Sequence, residues 1–195
     1  MNTYMMNIQA LLLCAGQGSR FDQTGRTSKL LAELPSKKTV LGLALDSILP
    51  TFPRPLAVVW PEQDKVKQFL TNRGIELIED ADAKLGMGYS IAAGVRHSQE
   101  ADGWLICLGD MPYVQAETIA QISATAIKHP DAIVAPFYQG QRGHPVFIPK
   151  SFKQDLLSLQ KDEGPRHLMM GSPLIQVDTM DTGIYRDIDL PSDLT

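Results

Sequence analysis

The 195-residue sequence predicts an α/β fold, a three-layer α/β/α sandwich around a mostly parallel sheet. Two observations predict it. Short apolar runs of strand length alternate along the chain with segments of helical period, which is the pattern of repeated strand-helix units. The runs are also too continuously apolar for one-sided strands, as expected of strands covered on both faces.

The runs are Ile8 to Leu13, Pro55 to Trp60, Ile75 to Ile78, Trp104 to Leu108 and Ala132 to Ala135, each too short to be a free helix. Between them, Val40 to Leu49, Asp64 to Asn72, Met87 to His97 and Glu117 to Lys128 have helical period. In the last of these Ile119, Ile122 and Ala126 share one face. The C-terminal third is less regular. It predicts a strand at Pro145 to Ile148, helices near Phe152 to Leu159 and Arg166 to Met170, and an extended stretch at Leu174 to Val177. Asp22 to Ser28, charged and glycine-bearing, reads as a mobile surface loop, and no linker or repeat divides the chain.

Composition narrows the function classes. At this length one core can bury roughly 70% of the surface that the unfolded chain exposes. The chain is 44% apolar and 21% charged, with a formal net charge of -4. Nucleic acid is a poor partner for such a charge, since phosphate backbones call for a basic face. A membrane is no better, because the longest apolar run falls far short of the ~20 residues needed to span. Met1 to Asn7 lacks the features of a signal peptide. Cys14 and Cys107 lie far apart outside any CxxC pair, so neither a disulfide framework nor a zinc site is expected, and a reduced cytoplasm fits.

Ligands of open α/β sheets bind beyond the carboxyl ends of the strands, so the residues following each run carry the functional signal. After the first come Cys14, Ala15, Gly16, Gln17, Gly18, Ser19 and Arg20. The two glycines let the backbone approach a bulky anion, and successive N–H groups there can cradle phosphate oxygens. Arg20 adds a forked pair of donors, and Lys29 a second positive charge from across the loop. A tight turn with two solvated basic residues accounts for this segment equally well. The Walker pattern is absent. The dinucleotide fingerprint is only half present, with Phe21 where its third glycine belongs, which counts against an NAD(P)-dependent oxidoreductase.

After the third run, Glu79 and Asp80 precede Gly86-Met87-Gly88-Tyr89-Ser90, a glycine-rich helix start whose N–H groups suit an anion or sugar hydroxyls. Simple helix initiation explains it as well. The fourth run ends in Gly109-Asp110-Met111-Pro112. A lone carboxylate at the mouth of a sheet suits Mg²⁺, which takes one or two carboxylates and fills its other positions with water and phosphate oxygens. It also suits an ordinary turn cap.

Taken in order, LLCAGQGSR, SKLL, GMGYSIAAGV, LGDMP, GHPVFI, DEGPR and DIDLPSDL resemble the MobA/MocA-like nucleotidyltransferases of molybdenum cofactor biosynthesis, over Leu12 to Leu194. The resemblance implies a single nucleotidyltransferase domain over residues 1–195, with the Rossmann-like sheet of nucleotide-diphospho-sugar transferases. It implies a triphosphate site at Gly16, Gly18, Ser19 and Arg20 with Lys29 assisting, and nucleotide contacts from Ala15, Asp80, Gly88 and Ser90. Mg²⁺ falls to Asp110, completed by Asp187 or Asp189. Acceptor contacts fall to Gly143, His144, Pro145 and Arg166. Arg20, Lys29 and Asp110 are the implied catalytic residues. Members reading Leu-Ala-Ala-Gly transfer cytidylyl groups and those reading Leu-Ala-Gly-Gly guanylyl groups, so Ala15 tilts the expectation to CTP over GTP and toward the cytidylyltransferases. The acceptor would be of molybdopterin type, with a molybdoenzyme or cofactor-insertion protein as recipient. A non-catalytic molybdoenzyme partner is the rival outside the enzyme classes, and keeping Arg20, Lys29 and Asp110 together argues against it. The chain departs from the pattern at Cys14, at the long stretch from Arg20 to Lys29, at Asp22 in place of glycine and at Asp80 in place of asparagine. The last matters because a carboxylate cannot donate to a base as an amide does.

Overall fold

Alternation along the central strands sorts side chains into two apolar layers, as the two-residue period of a strand requires. In the computed structural model, which describes residues 6–22, 24, 27–161, 164, 168 and 171–195, the first strand is β1 (Ile8–Leu13). Its Ala10 and Leu12 pack to one side, and Leu11 and the following Ala15 to the other. The first side is covered by α1 (Val40–Ile48), α2 (Asp64–Thr71) and α4 (Ala116–Lys128), the second by α3 (Met87–His97) and α5 (Lys153–Ser158). The expected three-layer sandwich is therefore present. Each expected strand forms, all but one within one residue of its predicted bounds: β2 (Leu56–Val59), β3 (Glu76–Glu79), β4 (Gly103–Leu108), β7 (Val146–Pro149) and β8 (Leu174–Asp178), whereas β5 (Ile133–Tyr138) runs three residues past its predicted end at Ala135. The two-residue β6 (Gln141–Arg142) was not predicted, being too short to show a period.

The strand order is β3-β2-β1-β4-β7-β5-β6, with β8 beside β5. β1 to β4 are mutually parallel, and β7 enters antiparallel between β4 and β5. The chain runs outward from β1 through β2 to β3, then returns to lay β4 on the other side of β1. That reversal leaves a crevice beyond the ends of β1 and β4, where the glycine loop and Asp110 emerge. Among the described residues no helix is long and apolar enough to cross a membrane.

The fifth helix begins one residue later than expected, after a single 3-10 turn at Lys150–Phe152. The predicted helix from Arg166 to Met170 lies, apart from Leu168, outside the described residues. Cys14 and Cys107 are both buried and unpaired, as expected.

Candidate active site

Three glycines bring distant segments together at the carboxyl ends of the strands. Gly109 follows β4 so closely on the end of β1 that a Cβ there would stand 3.0 Å from Cys14 Sγ. Its N–H donates to the Leu13 carbonyl at 3.0 Å. The strand ends are thereby locked side by side. Gly143 and Gly183 do the same for the C-terminal segment. A side chain at Gly143 would strike Ile184, and one at Gly183 would strike the Tyr113 backbone. Residues 182–185 can therefore lie across the sheet's end, where His144 N–H donates to the Ile184 carbonyl at 2.8 Å.

This path delivers Asp187-Ile188-Asp189 to Asp110. Ile188 is buried against Leu34 and Val40, and its N–H donates to the Asp110 carbonyl at 2.9 Å. With Ile188 buried, Asp187 and Asp189 on either side of it keep access to solvent. Asp193 completes the placement, accepting from the Asp189 and Leu190 N–H groups at 2.9 and 2.7 Å. Those two hydrogen bonds hold its carboxyl below the ordinary range.

The cations meet these acids directly. Lys29 opens a 3-10 turn, and its stem lies beneath Gly18, whose φ of +62° favours glycine. The Lys29 ammonium lies 2.7 Å from Asp110 Oδ2 and 3.0 Å from Asp189 Oδ1, with its side chain only 9% exposed. Arg20, 75% exposed, reaches Asp189 Oδ2 at 2.8 Å. Burial disfavours the charged lysine, but the two carboxylates outweigh it and the net displacement is upward, so Lys29 is an ammonium at neutral pH. Asp187 is pushed up, first by partial loss of water and then by Asp189 and Asp110 nearby.

The cleft around this network measures ≈ 590 Å³. Ala15, Gly16, Gly18, Ser19, Arg20, Lys29, Ser90, Asp110 and Asp189 line it, as expected from the sequence. Gly86 and Met87, from the glycine-rich helix start singled out in the sequence, also line it, together with Lys84, which was not predicted. A second cavity of ≈ 390 Å³ abuts the first through Met87 and Leu108, and contains Gly143, His144, Asp187 and Tyr185.

Three predicted residues, Asp80, Gly88 and Pro145, stand elsewhere, and a fourth, Ser90, lines the cleft with its hydroxyl already used, each for a physical reason. Asp80 is outside the cleft, where it accepts from Asp82 N–H at 2.9 Å and Arg96 at 3.4 Å. Gly88 is a packing glycine whose N–H already donates to the Lys161 carbonyl at 2.8 Å, and whose missing Cβ makes room for the Gln160 backbone. Ser90 reaches the wall, but its hydroxyl is spent on the Ala83 carbonyl at 3.1 Å. Pro145 faces the small gap beneath Cys107 and Met111 and not the second cavity. Of the expected carboxylate pair, Asp110 with Asp187 or Asp189, Asp110 and Asp189 are both held by Lys29. Among the described residues no three acids, histidines or cysteines are close enough to hold a metal. Arg166 lies outside the described residues.

The profile of the MobA-like NTP transferase domain matches residues 10–177. The chain belongs to this family. It is a MobA-like nucleotidyltransferase with the fold of the nucleotide-diphospho-sugar transferases. The bifunctional protein GlmU of Ruthia magnifica subsp. Calyptogena magnifica is 27% identical over 158 residues, 81% of this chain and 34% of that protein. The chain thus spans about a third or less of the curated relatives it matches. Among solved structures, Rv0371C of Mycobacterium tuberculosis H37Rv, in complex with manganese, superposes with a TM-score of 0.77 at 22% identity, covering 96% of each chain. Molybdopterin-guanine dinucleotide biosynthesis protein A of Archaeoglobus fulgidus gives 0.67 at 18% identity, covering 95% of this chain and 94% of that one. These two likenesses are of fold.

Proposed function

We propose that this MobA-like transferase moves a nucleoside monophosphate, CMP in preference to GMP, from an NTP to the phosphate of a molybdopterin-type acceptor, with release of pyrophosphate. One observation carries the proposal. Arg20, Lys29, Asp110 and Asp189 converge through three ion pairs in the crevice where β1 and β4 end. The triphosphate lies against Gly16, Gly18 and Ser19, within reach of Arg20 and Lys29, and the acceptor occupies the adjoining cavity beside Gly143 and His144.

The donor set fits Mg²⁺. The carboxylates are hard oxygen ligands, and Asp187, pushed up first by partial burial and then by Asp189 and Asp110, stands among like charges that a divalent cation would offset. Asp110, with Asp187 or Asp189, would hold the ion. The manganese bound by Rv0371C supports a divalent metal in this fold. When bound, the ion supplies charge neutralisation on the α-phosphate and the departing pyrophosphate.

The chain's own residues do the rest. An acceptor phosphate is already ionised at neutral pH, so no side chain need remove a proton from it. One of its oxygens forms the new bond to the α-phosphorus as the bond to the bridging oxygen breaks, and the electron pair leaves with pyrophosphate. The walls of the two cavities align the reactants for that displacement, and Arg20 and Lys29 offset the charge that develops. Ala15 supports the preference for CTP, since it stands at the cleft in the position where the resembling cytidylyl-transferring members carry alanine and the guanylyl-transferring members glycine.

Incubation with each NTP, Mg²⁺ and a molybdopterin-type acceptor, followed by mass analysis, tests this reading. A cytidylyl adduct is expected. A guanylyl adduct would reverse the base assignment, and absence of any adduct would remove the pterin acceptor.

A further inference from the structure

We infer that in the nucleotide-free protein the Lys29 ammonium holds the position of the divalent cation, so that metal is admitted only when a polyphosphate draws Lys29 away. The inference deepens the proposed function and rests on it. Lys29 contacts one oxygen of Asp110 and one of Asp189, and Arg20 takes the remaining oxygen of Asp189. Three of the four carboxylate oxygens of Asp110 and Asp189 are therefore already engaged by cations of the chain itself. Lys29 is also confined, with its stem packed beneath Gly18 and its side chain largely buried.

A free divalent ion must displace this ammonium, and a displaced buried ammonium with no new anion pays the cost of an unpaired charge. A triphosphate on the Gly16 to Ser19 loop removes that cost. It offers Lys29 and Arg20 new oxygens on the same side of the cleft, while Asp110 and Asp189 are released toward the ion. Two sites that compete for one lysine are coupled, and the coupling is reciprocal. Nucleotide raises metal affinity by the factor by which metal raises nucleotide affinity.

Mn²⁺, followed by loss of its free paramagnetic signal, is the probe. It is titrated into wild type, Lys29→Met, Arg20→Met and Lys84→Met, with and without a non-hydrolysable CTP analogue, after circular dichroism has established that each variant is folded. Without nucleotide, Lys29→Met should bind Mn²⁺ about tenfold or more tighter than wild type, and Arg20→Met by a smaller factor, because the first frees two carboxylate oxygens and the second one. Lys84→Met is the control for net charge, since Lys84 lines the same cleft but lies over the Trp60 ring and, among the described residues, stands outside the three ion pairs of Asp110 and Asp189. It should change free Mn²⁺ affinity by less than about threefold, as expected of a screened surface charge. With the analogue bound, the advantage of Lys29→Met should shrink or vanish.

Should Lys29→Met fail to fold, Arg20→Met must still show its gain. Equal or weaker free Mn²⁺ binding in the folded variants, or an equal gain in Lys84→Met, overturns the inference. If all forms take Mn²⁺ with the analogue and wild type releases pyrophosphate, nucleotidyl transfer stands and only the lysine exchange falls. If none takes Mn²⁺ even with the analogue, both fall.

Discussion

Asp22 occupies a position where the family's pattern has glycine, and the structure shows what the carboxylate does there. It accepts from the Thr24 hydroxyl at 2.7 Å and from the Thr24 and Thr27 N–H groups at 2.8 Å each, fastening the stretch that leads to Lys29. The Thr24 hydroxyl first, then the backbone N–H groups, hold its carboxyl down from an ordinary 3.8 to about 2. A lowered folded value means that the loop's fastening is complete above the ordinary range and is lost as pH falls from there toward 2. A carboxyl-carbon NMR titration should place the Asp22 midpoint near 2, and a midpoint near 3.8 would show the fastening absent. Individual residues were legible in the sequence to the extent that their chemistry is intrinsic. Arg20 and Asp110 were identifiable as a cation and an acid following the ends of β1 and β4, and Lys29 as a second cation across the loop. That Lys29 is buried between two protein carboxylates was not, because burial and partners are properties of the folded chain. Asp80 and Gly88 were misplaced for the same reason. Their types suit a ligand, but neighbouring backbone and Arg96 already use them.

The element that most depends on tertiary contacts is the segment from Asp178 to Asp189. Its centre is Asp181, a buried carboxylate that accepts from Gln115 N–H at 2.8 Å, the Thr118 hydroxyl at 2.7 Å and Gly183 N–H at 2.8 Å. It ties the start of α4 to the segment that carries Asp187 and Asp189. Asp181→Ala leaves those donors without an acceptor and should cost about 3 kcal/mol of stability, by the penalty for orphaned buried donors. The midpoint of denaturant unfolding measures it, and an unchanged midpoint would mean that the knot contributes nothing. None of this was readable beforehand, since the segment has no period and its conformation follows from Gly143 and Gly183 permitting a close crossing. The regular helices were readable. Met87–His97 has the bounds predicted for it, because its apolar spacing alone marks the face that packs on the sheet.

At the scale of the whole molecule, local pattern predicted the layers but not the order of strands. Pairing of β7 between β4 and β5 is non-local, and nothing in Pro145 to Ile148 distinguishes an antiparallel partner from a parallel one. The order nonetheless decides the chemistry, because the reversal at β1 and β4 opens the crevice in which the glycine loop and Asp110 face each other. The lock at Gly109 and Cys14 keeps the two strand ends in register, so the site is held by the sheet and the C-terminal segment is brought to it. The proposed chemistry therefore depends on Asp110. Metal-dependent pyrophosphate release from CTP and a phosphorylated acceptor, compared between wild type and Asp110→Ala of unchanged circular dichroism, is its most direct test. Loss of release by about a hundredfold or more is predicted, as for removal of a preorganised electrostatic group. Release at the wild-type rate would contradict it.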